Sequence, residues 1–245
     1  MTEIALHFDD VAKNYGRSTV LRKVSFDVPR GAFFGLVGAN GAGKTTLLKC
    51  LLDFCEFESG GIAIFGTPHD QTAARRQLAF LPEKFTPPYY LTGRDFISYV
   101  LEMQSMEYRR EEAEQMMRAL DLDLAALRLP VRAYSKGMTQ KLGLVACFLS
   151  RKELYILDEP TSGLDPKARA LLKAYLRGLR AQSRTVFFTS HSLADVAEVC
   201  DRMAVLHDGS LRFAGSPQGL REKYAAPDLE QAYLRCIADD HAAPS

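Results

Sequence analysis

The sequence predicts an α/β fold: a mixed sheet core, an antiparallel β region near its start, and a helical subdomain inserted between strands. Three observations predict it. Period-two alternation opens the chain, short wholly apolar runs recur along it, and from Thr92 to Leu129 the hydrophobic period becomes helical. The 245 residues, 47% hydrophobic and 25% charged, supply material for one large core. They exclude a disordered chain and a disulfide miniprotein.

The elements follow in order. Ile4, Leu6 and Phe8 share one face, and Val24, Phe26 and Val28 repeat the pattern after a turn at Asn14-Tyr15-Gly16, as half-buried antiparallel strands do. Phe33–Val37, flanked by glycines, reads as a strand buried on both faces. Ile62–Phe65 and Leu78–Leu81 are further short strands. In the helical stretch, Phe96, Val100 and Met103 form one apolar stripe and Ala113, Met116, Met117 and Leu120 another, with charges on the solvated side. Leu154–Leu157 is a buried strand, and Asp165-Pro166 opens a helix with an acceptor cap and a proline in the first turn. Thr185–Thr189 is again a strand; Ser192 to Asp195 resembles a capping box with a short acid, starting a helix to Cys200. Met203 to Phe213, broken at His207-Asp208-Gly209, is a hairpin, and the tail ends in a helix and a polar stub. The expectation is a single domain over 1–245, with its core at about 1–83 and 151–225, a helical subdomain at about 84–150 and a helical tail at about 226–245.

Charge and cysteine usage narrow the function. Lys and Arg number 31 against 30 Asp and Glu, so no basic footprint for nucleic acid exists. Five cysteines at 50, 55, 147, 200 and 236 form no Cys-x-x-Cys, which points to free thiols in a reducing compartment and away from a zinc site. The amino terminus lacks a basic region followed by an apolar run. The longest uncharged apolar stretch, Leu142 to Ser150, falls far short of the roughly 20 residues that a membrane-spanning helix needs.

The chemistry begins at Gly38-Ala39-Asn40-Gly41-Ala42-Gly43-Lys44-Thr45-Thr46, which matches the phosphate-binding pattern G-x-x-x-x-G-K-[ST] between a buried strand and a helix. Glycines let backbone N–H groups curl around phosphate oxygens, and the helix start adds a favourable dipole. Lys44 is suited to the β- and γ-phosphates, and the Thr45 hydroxyl to Mg²⁺. A second signal is the strand Leu154–Leu157 running into Asp158 and Glu159, since charge at the end of a buried strand must be partnered or functional. Asp158 suits a Mg²⁺ role, and Glu159 can orient or deprotonate an attacking water. Taken singly, Tyr15 is equally a turn tyrosine, Ser135 a helix cap, His191 a strand-end histidine and Glu83 a solvated loop carboxylate.

Between these motifs, Tyr134-Ser135-Lys136-Gly137-Met138 opens a helix and resembles the signature motif, usually Leu-Ser-Gly-Gly-Gln, of the ATP-binding-cassette (ABC) ATPases, in a form seen among exporter-type cassettes. The order of the other pieces is similar: Tyr15 at the adenine-stacking position, Ser162-Gly163-Leu164-Asp165 as the D-loop and His191 as the switch histidine. The resemblance covers about residues 3 to 235. It implies a P-loop NTPase of ABC type that uses ATP and Mg²⁺, with Glu159, His191 and Lys44 catalytic and Thr45, Glu83 and Asp158 at the metal. It further implies an ATP-dependent homodimer, or a heterodimer with another cassette. In such a dimer each ATP lies between one chain's Lys44 loop and the other's Ser135–Gly137 turn. The partner implied is a separate transmembrane permease, with the chain peripheral on the cytoplasmic face of the membrane. Two departures stand out: Glu83 replaces the family's usual glutamine, and Lys136 and Met138 replace glycine and glutamine of the signature. A soluble ABC ATPase of iron–sulfur assembly, translation or DNA repair is the alternative. The missing second cassette and coiled-coil insert argue against the latter two, and an intact Glu159 argues against a regulatory subunit that binds ATP without turnover.

Overall fold

The computed structural model describes residues 3–239, so the first two residues of the amino terminus and the last six of the expected tail lie outside the described residues. Two long strands, β1 (Ile4–Tyr15) and β2 (Ser18–Pro29), form the antiparallel hairpin, and β3 (Phe33–Val37) leads into α1 (Lys44–Leu51). β4 (Ser59–Ile64), β5 (Thr67–Pro68), a single turn α2 (Thr72–Arg75) and β6 (Leu78–Leu81) follow. The inserted helices are α3 (Gly93–Glu102), α4 (Arg110–Ala119) and α5 (Lys136–Leu149), with 3₁₀ turns at Leu124–Arg128 and Val131–Ala133. Strand and helix then alternate: β7 (Leu154–Asp158), α6 (Pro166–Arg180), β8 (Thr185–Ser190), α7 (Leu193–Val199), β9 (Arg202–His207), β10 (Ser210–Gly215), α8 (Pro217–Lys223) and α9 (Leu229–Ala238).

Two sheets result. One is antiparallel in the order β2-β1-β4-β5; the other runs β10-β9-β3-β8-β7-β6. All neighbours in the second are parallel except the β9–β10 hairpin. Period two divides its side chains between two cores. Phe34 and Leu36 of β3, with Leu154 and Ile156 of β7, pack toward α1 and the antiparallel sheet. Phe33, Val37, Tyr155 and Leu157 pack toward the helices, in a core that continues from the sheet into α3, α4 and α5. A run of rings ties the two sheets: Phe8 to Phe26 at 4.5 Å, Phe26 to Phe34 at 5.4 Å and Phe34 to Phe187 at 5.8 Å between centroids.

The alternation of β1 slips at Asp9 and Asp10, both exposed, where Asp10 has a φ of 47°; the bulge returns Val11 to the core. Two local expectations are corrected. Met103 is 70% exposed because α3 ends at Glu102, so Phe96, Ile97 and Leu101 form the buried stripe instead. Only half of a capping box forms at Ser192. Its hydroxyl accepts from the Asp195 amide at 3.3 Å, but the Asp195 carboxylate turns away, to Lys173 at 2.7 Å and the Thr161 hydroxyl at 3.1 Å.

Candidate functional site

The sheet order builds the site. β3, β8, β7 and β6 lie side by side and parallel, so their carboxyl ends open on one edge, at which open α/β sheets bind ligands. β3 ends in the Gly38 loop, β8 in Ser190 beside His191, β7 in Asp158 beside Glu159, and β6 in Leu81, two residues before Glu83. Tyr15, Ala39, Asn40, Gly41, Gly43, Lys44, Thr45, Thr46, Glu83, Asp158, Glu159 and His191 accordingly line one cavity of about 370 Å³.

The loop is shaped by its glycines. A side chain on Gly38 would stand 2.4 Å from the Leu206 carbonyl, so the loop lies against β9 only because that carbon is missing. Gly43, at φ 108°, is the residue before α1 and offers it no side-chain cap. By contrast, Thr92, Ser135, Asp165, Ser192, Ser216 and Asp228 each cap their own helix through a side-chain oxygen. The first amides of α1 therefore keep unsatisfied donors, with Lys44, Thr45 and Thr46 on the cavity wall. Lys44 is buried and donates from Nζ to the carbonyls of Gly38 at 2.6 Å and Ala39 at 3.3 Å. Gly38 and Ala42 are themselves buried behind the loop and do not line the cavity.

The carboxylates face this ammonium. Asp158 Oδ1 accepts from Thr189 Oγ1 at 2.5 Å, and the same oxygen of Thr189 accepts from the Glu159 amide at 3.0 Å. His191 Nδ1 stands 2.8 Å from Glu159 Oε2. Glu159 has a left-handed φ of 49°, a conformation that carries strain for a side-chain-bearing residue and recurs at functional sites. Burial holds the pKa of Asp158 above the usual carboxylate range; Thr189 opposes the rise, while Glu83 adds to it. Burial likewise raises Glu159, against the pull of His191 and Lys44. It lowers Lys44, against the same two carboxylates and Glu83.

Three carboxylates against one ammonium make the cavity hungry for a cation, and with the Thr45 hydroxyl the donors are all hard oxygens. Among the described residues no three of His, Cys, Asp and Glu are close enough to close a metal cage. Mg²⁺ ordinarily keeps several waters and shares its shell with phosphate oxygens.

Tyr15 also lines the cavity, 49% exposed, with Lys13 Nζ 5.1 Å from its ring centroid and its hydroxyl 3.8 Å from Cys55 Sγ. Ser135, Gly137 and Asp165 do not line the cavity. Ser135 Oγ accepts from the Met138 amide at 3.2 Å, and Asp165 Oδ1 from the Ala168 amide at 2.9 Å. The two turns nevertheless meet, since a carbon on Gly137 would lie 3.2 Å from the Gly163 carbonyl. Gln140 of α5 reaches the Pro160 carbonyl, beside Glu159, at 3.4 Å. Thr189, which orders both acids, carries only a weak sequence signal, a hydroxyl at the polar end of an apolar strand; the sheet register sets it opposite Asp158.

The chain resembles known proteins in sequence and fold. A family model described as ABC transporter matches residues 21–162. An uncharacterized ABC transporter ATP-binding protein of Synechocystis is 36% identical over 200 residues, covering 80% of this chain and 56% of its own length. One of Nostoc is 37% identical, with 80% and 59% covered, so the chain spans little more than half of these relatives. Nod factor export ATP-binding protein I of Sinorhizobium fredii is 32% identical over 95% of this chain and 68% of its own. Among solved structures, an ATP-binding subunit of an ABC transporter superposes with a TM-score of 0.84 at 29% identity, over 95% of this chain and 99% of that one. A dimeric ATP-binding cassette holding ADP and Pi, 20% identical with a TM-score of 0.79 over 86% and 98% of the two chains, shares the fold. The phosphate loop, the acids that face it and these matches make the chain a member of the ABC transporter ATP-binding family.

Proposed function

We propose that the chain is the ATP-binding and ATP-hydrolysing motor of an exporter, acting as a cassette dimer on a separate transmembrane permease from the cytoplasmic face. The observation that carries the reading is the gathering of Lys44, Thr45, Asp158, Glu159 and His191 on one cavity wall at three adjacent strand ends. The exporter direction draws support from relatives named for Nod factor export. Among the described residues no helix is long and apolar enough to cross a membrane, in keeping with a crossing made by another polypeptide or segment.

The uncapped start of α1 and Lys44 hold the phosphates, and Tyr15 offers the open side of its ring to adenine. Mg²⁺ would be held by Thr45, Asp158 and Glu83, where it neutralises phosphate charge. Glu159, its pKa raised by burial, orients the water that attacks the γ-phosphate in line and accepts its proton, with His191 beside it. Lys44 stabilises the charge that builds on the transferred group. Glu83, two residues past β6 at the entry to the inserted helices, links the metal to the proposed division between a core at about 1–83 and 151–225 and a helical subdomain at about 84–150.

The test is Glu159→Gln. Removing the carboxylate spares the cradle, so ATP affinity should stay within a few-fold of wild type. Turnover should fall by about 100-fold or more, and an ATP-stabilised dimer should accumulate on gel filtration. Hydrolysis at near wild-type rate would overturn the assignment. Purification from solubilised membranes separates the readings of the partner: a multi-span protein supports transport, a soluble partner the alternative.

A further inference from the structure

Away from the nucleotide cavity, the inserted helices enclose a second, wider hollow of about 770 Å³ between the starts of α3 and α4 and the 3₁₀ turn at Leu124–Arg128. Its walls carry Arg94, Arg110, Arg128, Glu114 and Tyr108, over an apolar floor that includes Leu127. The charges do not balance locally. Glu114 is taken by Arg110 at 2.7 Å and by Arg118 at 3.1 Å. Arg94 lies 5.6 Å from the centroid of the Tyr108 ring and, like Arg128, has no carboxylate partner among the described residues. The Tyr108 hydroxyl is buried without a hydrogen bond. Burial raises its pKa and Glu114 adds to the rise, while Arg94 and Arg110 pull it down.

An unmet buried hydroxyl weakens a fold unless an acceptor reaches it, and two exposed guanidiniums without carboxylate partners on the same hollow are free to receive an anion. Both features suit the same chemistry, a ligand with several acceptor oxygens and about two negative charges. A phosphate monoester has these, its oxygens fit a guanidinium fork, and Leu127 suits the carbon skeleton that follows. We propose that this hollow is a binding site for an organic phosphate monoester, carried by a free metabolite or by a lipid headgroup. The wall is tied to the signature turn: the Gly93 amide donates to the Leu129 carbonyl at 3.2 Å, and the Tyr134 hydroxyl to the Ala126 carbonyl at 2.5 Å. A bound phosphate would therefore brace the segment that positions Ser135.

Two probes separate the sources. Glycerol 3-phosphate is titrated into the protein by calorimetry, and flotation is measured with phosphatidylcholine vesicles containing phosphatidic acid, a monoester. Vesicles of equal charge made with phosphatidylglycerol, a diester, serve as reference. Saturable binding of glycerol 3-phosphate assigns the ligand to solution; preferential flotation with phosphatidic acid assigns it to a membrane. In either case Arg94→Gln with Arg128→Gln, both exposed positions, should weaken binding about tenfold or more. Tyr108→Phe should weaken it about threefold with a melting temperature equal to or above wild type, since an unmet hydroxyl is removed. The proposal is overturned by an absence of binding in both arms up to about 10 mM phosphate. Affinity unchanged by the double substitution, or flotation equal with the diester, would overturn it as well.

Discussion

The starts of α1 and α5 are the two helix N-termini proposed above to meet phosphate, and they are built in opposite ways. At α1 the preceding residue is Gly43, with no side chain to satisfy the amides, and the adjoining wall holds buried Lys44 against two buried acids. At α5 the preceding residue is Ser135, exposed, whose hydroxyl already bonds Met138. The first arrangement is unsatisfied on its own: charges are desolvated, one backbone angle is strained and donors lack acceptors. The second is satisfied on its own and lies at the surface. The contrast says that α1 is shaped for a ligand held within one chain, and that α5 presents a finished surface for which a phosphate is additional.

Breaking the first site should have the larger effect. Lys44→Ala removes the ammonium proposed to face the phosphates and its attraction to Asp158, Glu159 and Glu83. ATP affinity should drop about 100-fold in a direct binding titration, in proportion to the loss of a charge-assisted bond in a desolvated site. Affinity within twofold of wild type would remove Lys44 from the cradle.

Ser135→Asp sharpens the comparison, because aspartate is as good a cap as serine and its charge suits a helix start. Stability and the ATP affinity of the isolated chain should stay unchanged, while turnover falls by about tenfold or more as a carboxylate meets the partner-bound γ-phosphate. Unchanged turnover would mean that the α5 start serves as a cap and no more.

The smallest effect concerns the strain that the first site carries. The folded pKa of Asp158 lies above its unfolded value, so the folded chain holds that proton more tightly. Stability from this group is complete below the unfolded pKa, near 4, and is lost as pH rises through the folded value. Asp158→Asn keeps an acceptor for the Thr189 hydroxyl and removes the buried charge. The nucleotide-free variant should melt about 2–4 °C higher than wild type at pH 7.5, and the two should converge toward pH 4. A lower melting point at pH 7.5 would show that attraction to Lys44 outweighs burial.

What the sequence by itself determined about this protein is whatever depends on neighbours within a turn or two. The phosphate loop, the wholly apolar strands Phe33–Val37 and Leu154–Leu157, and the caps at Ser135 and Asp165 all fall where the residues place them, since periodicity and capping are local chemistry. The bulge at Asp10, the early end of α3 that exposes Met103, and the diversion of Asp195 to Lys173 were decided elsewhere, by cross-strand register, helix length and a charge from another helix. Only the tertiary structure set β3 between β8 and β9, joining residues some 150 positions apart and bringing Lys44, Glu83, Asp158, Glu159 and His191 to one wall. The bridging role of Thr189 arises from the pairing of β8 with β7. Strand order is chosen by the burial of whole faces against distant partners, and no local pattern encodes which distant partner wins.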